Sequence, residues 1–162
     1  MNDKLLLRAA GACAILAALL HIPGLDAAAG DQGKQVLYVA IDVALTFALI
    51  GMFVAWPRFR TTLGALGFVG AIVALLVIRT GQRLAPGVDV YMLGSSVFTI
   101  SLAIASLSLM REAGLVRYAA FAWIATLVVG LIGLAVPAIS VAAIILFCIG
   151  FVLGGVALIR RP

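Results

Sequence analysis

Six long apolar runs, separated by short polar connections, constrain the fold of this 162-residue chain more than any other feature. Each run is close to the roughly 20 residues that a helix needs to cross a bilayer. Runs of this length are expected to be helical, because a backbone in hydrocarbon has to satisfy its own hydrogen bonds. The sequence therefore predicts an all-α fold, a polytopic membrane helical bundle with six transmembrane helices in one domain. The predicted spans cover residues 5–22, 36–56, 63–79, 90–110, 116–136 and 138–159.

The composition agrees with a membrane protein. Hydrophobic residues make up 65% of the chain and charged residues 10%, whereas a soluble domain normally has about 25% charged residues. Too few polar groups are present to cover a water-facing surface, which excludes a soluble enzyme, a disordered protein and a disulfide scaffold. Six spans use nearly the whole length, so no separate soluble domain is expected.

The first run has an alternative interpretation. Lys4 and Arg8 precede its apolar stretch, and three alanines at positions 27–29 follow it. This arrangement also fits a signal peptide with an Ala-x-Ala cleavage site. We expect a retained first span, because the segment is part of the chain that begins at Met1.

The distribution of Lys and Arg predicts the orientation of the bundle. With alternating spans, one side carries eight of these residues: Lys4, Arg8, Arg58, Arg60, Arg111, Arg117, Arg160 and Arg161. The other side carries Lys34, Arg79 and Arg83. Short loops rich in Lys and Arg stay in the cytoplasm, so both termini are predicted to be cytoplasmic. We attribute the net charge of +5 to Lys and Arg residues that set the topology and lie near lipid head groups. No nucleic-acid partner is expected.

Part of the second run aligns with part of the fifth. Residues 38–57 match residues 118–137 at Tyr38/Tyr118, Thr46/Thr126 and Pro57/Pro137, among other positions. One organisation of the bundle is therefore two inverted three-helix repeats. The alternative is that Ala- and Leu-rich helices match by composition alone.

Asp42 is the most informative polar residue. It lies about six residues inside the second predicted span, roughly 9 Å below its end at 1.5 Å per residue. A carboxylate at this depth is costly and is expected to face the bundle interior or water. Tyr38 and Thr46 lie four residues to either side, so they share one helix face with Asp42.

Other polar residues are predicted at the same depth on neighbouring spans. His21 and Arg79 end the first and third spans on this side, and the fourth span begins there. The full set of candidate ligand-binding or proton-coupling residues is Asp42, Arg79, His21, Tyr38, Thr46, Tyr91, Ser95 and Thr99. The functional hypothesis is an outward-facing polar pocket with an Asp42–Arg79 pair, in which His21 relays protons.

A structural interpretation competes with this hypothesis. In it, Asp42 pairs with Arg79 or a tyrosine only to hold helices together, and His21 is a boundary residue. The hydroxyl groups then bond carbonyls of their own helices.

No cofactor or metal is expected. The chain has one histidine and two separated cysteines, Cys13 and Cys148, so neither a histidine-rich metal site nor a Cys-x-x-Cys redox pair is present.

The segment Met110–Ala119 resembles the linker between two apolar runs in uncharacterised small bacterial multi-pass proteins. Those linkers often read Leu-Arg-x-Gly-x-Leu-Pro-Arg-Trp. Here Val116 stands in place of the proline and Tyr118 in place of the tryptophan, and the spacing of Arg111 and Gly114 differs by one. The resemblance covers about residues 90–136. It implies a bacterial inner-membrane protein of unknown activity.

Three classes of function remain. The first is binding or transport of a small polar or amphipathic ligand through the outer polar cavity. The second is an accessory or scaffold subunit of a larger membrane complex or of a homo-oligomer. Short Gly/Ala strips such as Gly150-x-x-x-Gly154 suit helix packing, and internal packing is the favoured use of these strips. The third, a membrane enzyme acting on a lipid or isoprenoid, is disfavoured because it usually needs several converging carboxylates or histidines. Beyond a ligand or subunits, the expected partners are membrane lipids.

Overall fold

The computed structural model describes residues 3–22, 30–80 and 89–161, and the side chains of residues 30–32 and 80 are outside that description. Within these ranges the chain is all-helical, as predicted. The six helices are α1 (Asp3–Leu20), α2 (Gly30–Ala55), α3 (Thr62–Thr80), α4 (Val90–Leu109), α5 (Leu115–Ala135) and α6 (Ser140–Ile159). The alanines at 27–29 and Arg83 lie outside the described residues.

Five of these helices, α2 to α6, are long and apolar enough to cross a membrane. Helix α1 has 18 residues and carries Asp3, Lys4 and Arg8 in its first two turns. Its remaining turns are apolar and pack into the core through Ala10, Ala14 and other small residues. The membrane character of the chain thus rests on α2 to α6.

Helix α2 begins six residues before the predicted start of the second span. Lys34, which the sequence placed in a loop, therefore lies on the helix. The prediction followed the onset of apolar residues, but Lys and Gln are good helix formers, so the helix extends beyond its apolar part. The ends of α2 and α5 at Ala55 and Ala135 agree with prediction, because each precedes a proline that starts a short 3₁₀ turn.

The helices form a ring. Each helix packs against its neighbours in the chain, and α6 returns to pack against α1. The packing is extensive between α3 and α4, α5 and α6, α1 and α6, and α1 and α2, and it is sparse between α2 and α3. One boundary of the ring is therefore much weaker than the others.

Small residues make the tight boundaries. A Cβ atom added to Gly11 would lie 2.6 Å from the backbone oxygen of Gly155, and one added to Gly155 would lie 2.6 Å from that of Gly11. Gly67 and Gly70 similarly bring α3 against Ser101 of α4. These small residues pack inside the single chain, which is the use favoured from the sequence.

The packing gives little support to the inverted repeat. That repeat makes the α2–α3 pair equivalent to the α5–α6 pair. Helices α5 and α6 pack closely, whereas the backbones of α2 and α3 approach each other at few points. The repeat stays a prediction from sequence.

Candidate functional site

A cavity of about 950 Å³ lies inside the ring, where α1, α3 and α5 end and α2, α4 and α6 begin. All six helices contribute to its wall. We call this end of the bundle the cavity end. Seven of the eight predicted site residues line the cavity: His21, Tyr38, Asp42, Arg79, Tyr91, Ser95 and Thr99.

The eighth residue, Thr46, is not part of the wall. Its hydroxyl donates to the backbone oxygen of Asp42 at 2.8 Å. Residues four apart drift by about 40° around a helix of 3.6 residues per turn. Thr46 is therefore rotated by about 80° from Tyr38, and a spacing of four did not keep all three side chains on one wall.

Asp42 and Arg79 form an ion pair between α2 and α3. Nε of Arg79 donates to Oδ2 of Asp42, and the two side chains are 18% and 34% exposed, Asp42 being the more buried. The pairing expected from the similar depths of the two residues is thus present. An uncompensated charge at this depth is costly, so each member stabilises the other.

Two tyrosines lie beside this pair. The ring centroids of Tyr38 on α2 and Tyr91 on α4 are 6.3 Å apart, and the rings are tilted by 43°. Tyr38 is one turn from Asp42. Both tyrosines line the cavity with Asp42, and aromatic rings and carboxylates both attract cationic groups.

The hydroxyls of α4 donate within their own helix. Ser95 Oγ donates to the Met92 backbone oxygen at 3.0 Å, and Thr99 Oγ1 donates to the Ser95 backbone oxygen at 2.9 Å. This geometry agrees with the structural interpretation of these donors. Both residues still line the cavity, where their oxygens remain available as acceptors.

His21 is half-buried and lies against an aromatic ring. Its ring centroid is 5.2 Å from that of Phe147 on α6. No described residue hydrogen-bonds its buried Nδ1 atom. The structure therefore places His21 in a largely apolar corner of the cavity, and its role in proton transfer stays a prediction.

The sequence missed the apolar floor of the cavity. Phe98 of α4 and Phe147 of α6 line it, with ring centroids 6.0 Å apart. Thr126 and Gly130 of α5 also line the cavity. A signal was present in α4, since Phe98 lies at helical spacing from Tyr91 and Ser95. The cavity wall consequently combines charged groups such as Asp42 with apolar side chains such as Phe98.

Among the described residues, no three His, Cys, Asp or Glu side chains converge to hold a metal ion. Cys13 and Cys148 are free thiols. The described site offers binding groups of both charges and aromatic surfaces.

Comparisons with protein-family models, with curated proteins and with solved structures found no match to this chain.

Proposed function

We propose that the protein binds a small amphipathic ligand in the cavity, either to carry it across the membrane or to hold it there. The observation that supports this most is the mixed chemistry of the wall. It includes the charged residues Lys34, Asp42 and Arg79 and two tyrosines, together with Phe98 and Phe147. Pockets that bind small molecules are typically mostly apolar with a few placed polar groups.

The proposal places the chain in a bacterial inner membrane as a six-span bundle with α1 as the first span. Both termini are cytoplasmic and the cavity end faces the periplasm. The bias of Lys and Arg toward the opposite side and the resemblance of the 110–119 linker support this placement. The charged residues of α1 lie in its first two turns, at the cytoplasmic boundary.

We expect cysteine labelling to reveal this orientation. In a variant with Cys13 and Cys148 replaced by alanine, Gln35→Cys at the cavity end should react with a membrane-impermeant thiol reagent in intact cells. Arg111→Cys at the opposite end should react only in inverted vesicles. Labelling of Arg111→Cys in intact cells would contradict the orientation and, with it, an outward-facing cavity.

Ligand binding is tested by placing a larger side chain in the cavity. Gly130 lines it, and outside the backbone of its own helix a Cβ atom there has no closer neighbour than Ala143 Cβ at 4.0 Å, so Gly130→Leu should obstruct the cavity without forcing α5 and α6 apart. The neighbouring Leu131 is 59% exposed, and Leu131→Phe serves as the lipid-facing control. Native mass spectrometry should show a bound amphiphile with the unmodified protein and with Leu131→Phe, and at least tenfold less with Gly130→Leu.

The same spectra separate binding from an accessory role. A single chain with a retained amphiphile supports the proposal. Stoichiometric recovery of other subunits, with equal amphiphile content in all three proteins, would favour the accessory function.

A further inference from the structure

The boundary between α2 and α3 is the weakest in the ring. These helices share few close backbone approaches, although they are consecutive in the chain. Where other boundaries are tight, a described glycine usually brings the backbones together, as Gly67 and Gly94 do between α3 and α4. None of the described glycines does so between α2 and α3.

Aromatic side chains close this boundary at the end opposite the cavity. The rings of Phe53 on α2 and Phe68 on α3 stack with centroids 4.4 Å apart. Phe59, in the short turn between the helices, lies 6.5 Å from each of them and is fully buried. The two helices are thus held together where the turn joins them.

At the cavity end, the ion pair between Asp42 and Arg79 links α2 to α3. The cavity lies directly behind it, because Leu45 and Leu75 line the wall one turn deeper on the two helices. Val43, next to Asp42, is 51% exposed and faces outward. The pair therefore lies in the cavity wall at the boundary between α2 and α3.

We propose that the ligand is a single-chain zwitterionic amphiphile that enters from the lipid between α2 and α3 and inserts its headgroup into the Asp42–Arg79 pair. This inference rests on the proposed function of the cavity. Separating the pair would leave two uncompensated charges, which is costly in a membrane. A headgroup with one charge of each sign removes that cost, because it gives each residue a new partner.

The surrounding groups suit such a headgroup. The guanidinium of Arg79 matches the planar oxygens of a carboxylate or the oxygens of a phosphate. Asp42 suits an ammonium group, and Tyr38 and Tyr91 line the same cavity and add aromatic surface. The volume of about 950 Å³ is near the upper end of small-molecule pockets, and the apolar floor accommodates an alkyl chain.

Headgroup selectivity is tested with three probes that share one chain: oleoyl lysophosphatidylcholine, oleate and oleylamine. We expect the unmodified protein to bind the zwitterionic probe at least tenfold more tightly than either singly charged one. Asp42→Asn and Arg79→Gln should each weaken its binding at least tenfold. Arg58→Gln, which alters an ion pair with Glu112 at the opposite end, is the matched control and should leave binding unchanged. Equal affinity for the three probes would overturn the inference.

The entry route is tested with protein that keeps Asp42 and Arg79, so this test does not depend on whether the variants fold. Lysophosphatidylcholines with 14-, 16- and 18-carbon chains are supplied to proteoliposomes at one constant membrane mole fraction. Each added CH₂ lowers the free aqueous concentration about fourfold, so four of them lower it about two-hundredfold. Entry from the lipid predicts loading rates that agree within about twofold. Rates that fall with the aqueous concentration would show entry from water and overturn the inference.

Loading can be followed by fluorescence in a Trp56→Phe background, using chains labelled with a nitroxide quencher. The remaining tryptophan, Trp123, is fully buried one turn from Thr126 in the cavity wall. Gly130→Leu in the same background gives the quenching caused by surrounding lipid, which is subtracted. If Gly130→Leu lowers the binding of none of the probes, the proposed function itself is refuted. Binding without zwitterion selectivity or with aqueous entry would refute only this further inference.

Discussion

Gly155→Leu is expected to cause a large loss of folded protein. A Cβ atom at this position would lie 2.6 Å from the backbone oxygen of Gly11. A backbone atom cannot move aside as a flexible side chain can, so α1 and α6 would have to separate. Overpacking usually costs about 1–3 kcal/mol, and we expect this substitution to reach or exceed about 3 kcal/mol.

The measurement is the folded fraction after detergent extraction, together with the melting temperature. Gly130→Leu is the matched control, because it is the same substitution at a position where an added Cβ atom makes only an ordinary contact, with Ala143 Cβ at 4.0 Å. It should melt within a few degrees of the unmodified protein. If Gly155→Leu melts at the same temperature as Gly130→Leu, the close packing of α1 on α6 is wrong.

The second large effect concerns the stability of the Asp42–Arg79 pair. Asp42→Asn or Arg79→Gln should each lower the free energy of unfolding by about 2 kcal/mol. Breaking a fully buried pair costs about 3–5 kcal/mol, and partial exposure of both side chains reduces that value. The double variant should lose less than the sum of the single losses, because it leaves no charge without a partner.

A double-mutant cycle measures this coupling, and the pair at the opposite end of the bundle is the control. Arg58 and Glu112 are 3.8 Å apart and 45% and 29% exposed, so their coupling should stay below about 1 kcal/mol. Additive losses for Asp42→Asn and Arg79→Gln would mean that the two residues act independently. The ion pair would then contribute no coupling energy to the contact between α2 and α3.

Helix number and the ion pair could be predicted because both follow from the cost of polar groups in hydrocarbon. Long apolar runs had to become helices, and Asp42 needed a partner at its own depth, which Arg79 provided. The same argument did not apply to the start of α2, where Lys34 continues the helix in a polar environment and hydropathy gives no signal.

The apolar half of the site was not predictable in this way. Phe98 and Phe147 belong to helices far apart in sequence. In the sequence, a phenylalanine that lines a cavity cannot be distinguished from one in the core. Their meeting depends on how α4 and α6 pack against α5. A single sequence does not specify that packing.

An experimental structure of the protein in lipid nanodiscs supplied with oleoyl lysophosphatidylcholine would show whether the cavity holds an amphiphile. We expect elongated density inside the ring, with its polar end between Tyr38, Asp42 and Arg79 and its chain against Phe98 and Phe147. A cavity closed by the protein's own side chains, with the added lipid only on the outer surface, would contradict it.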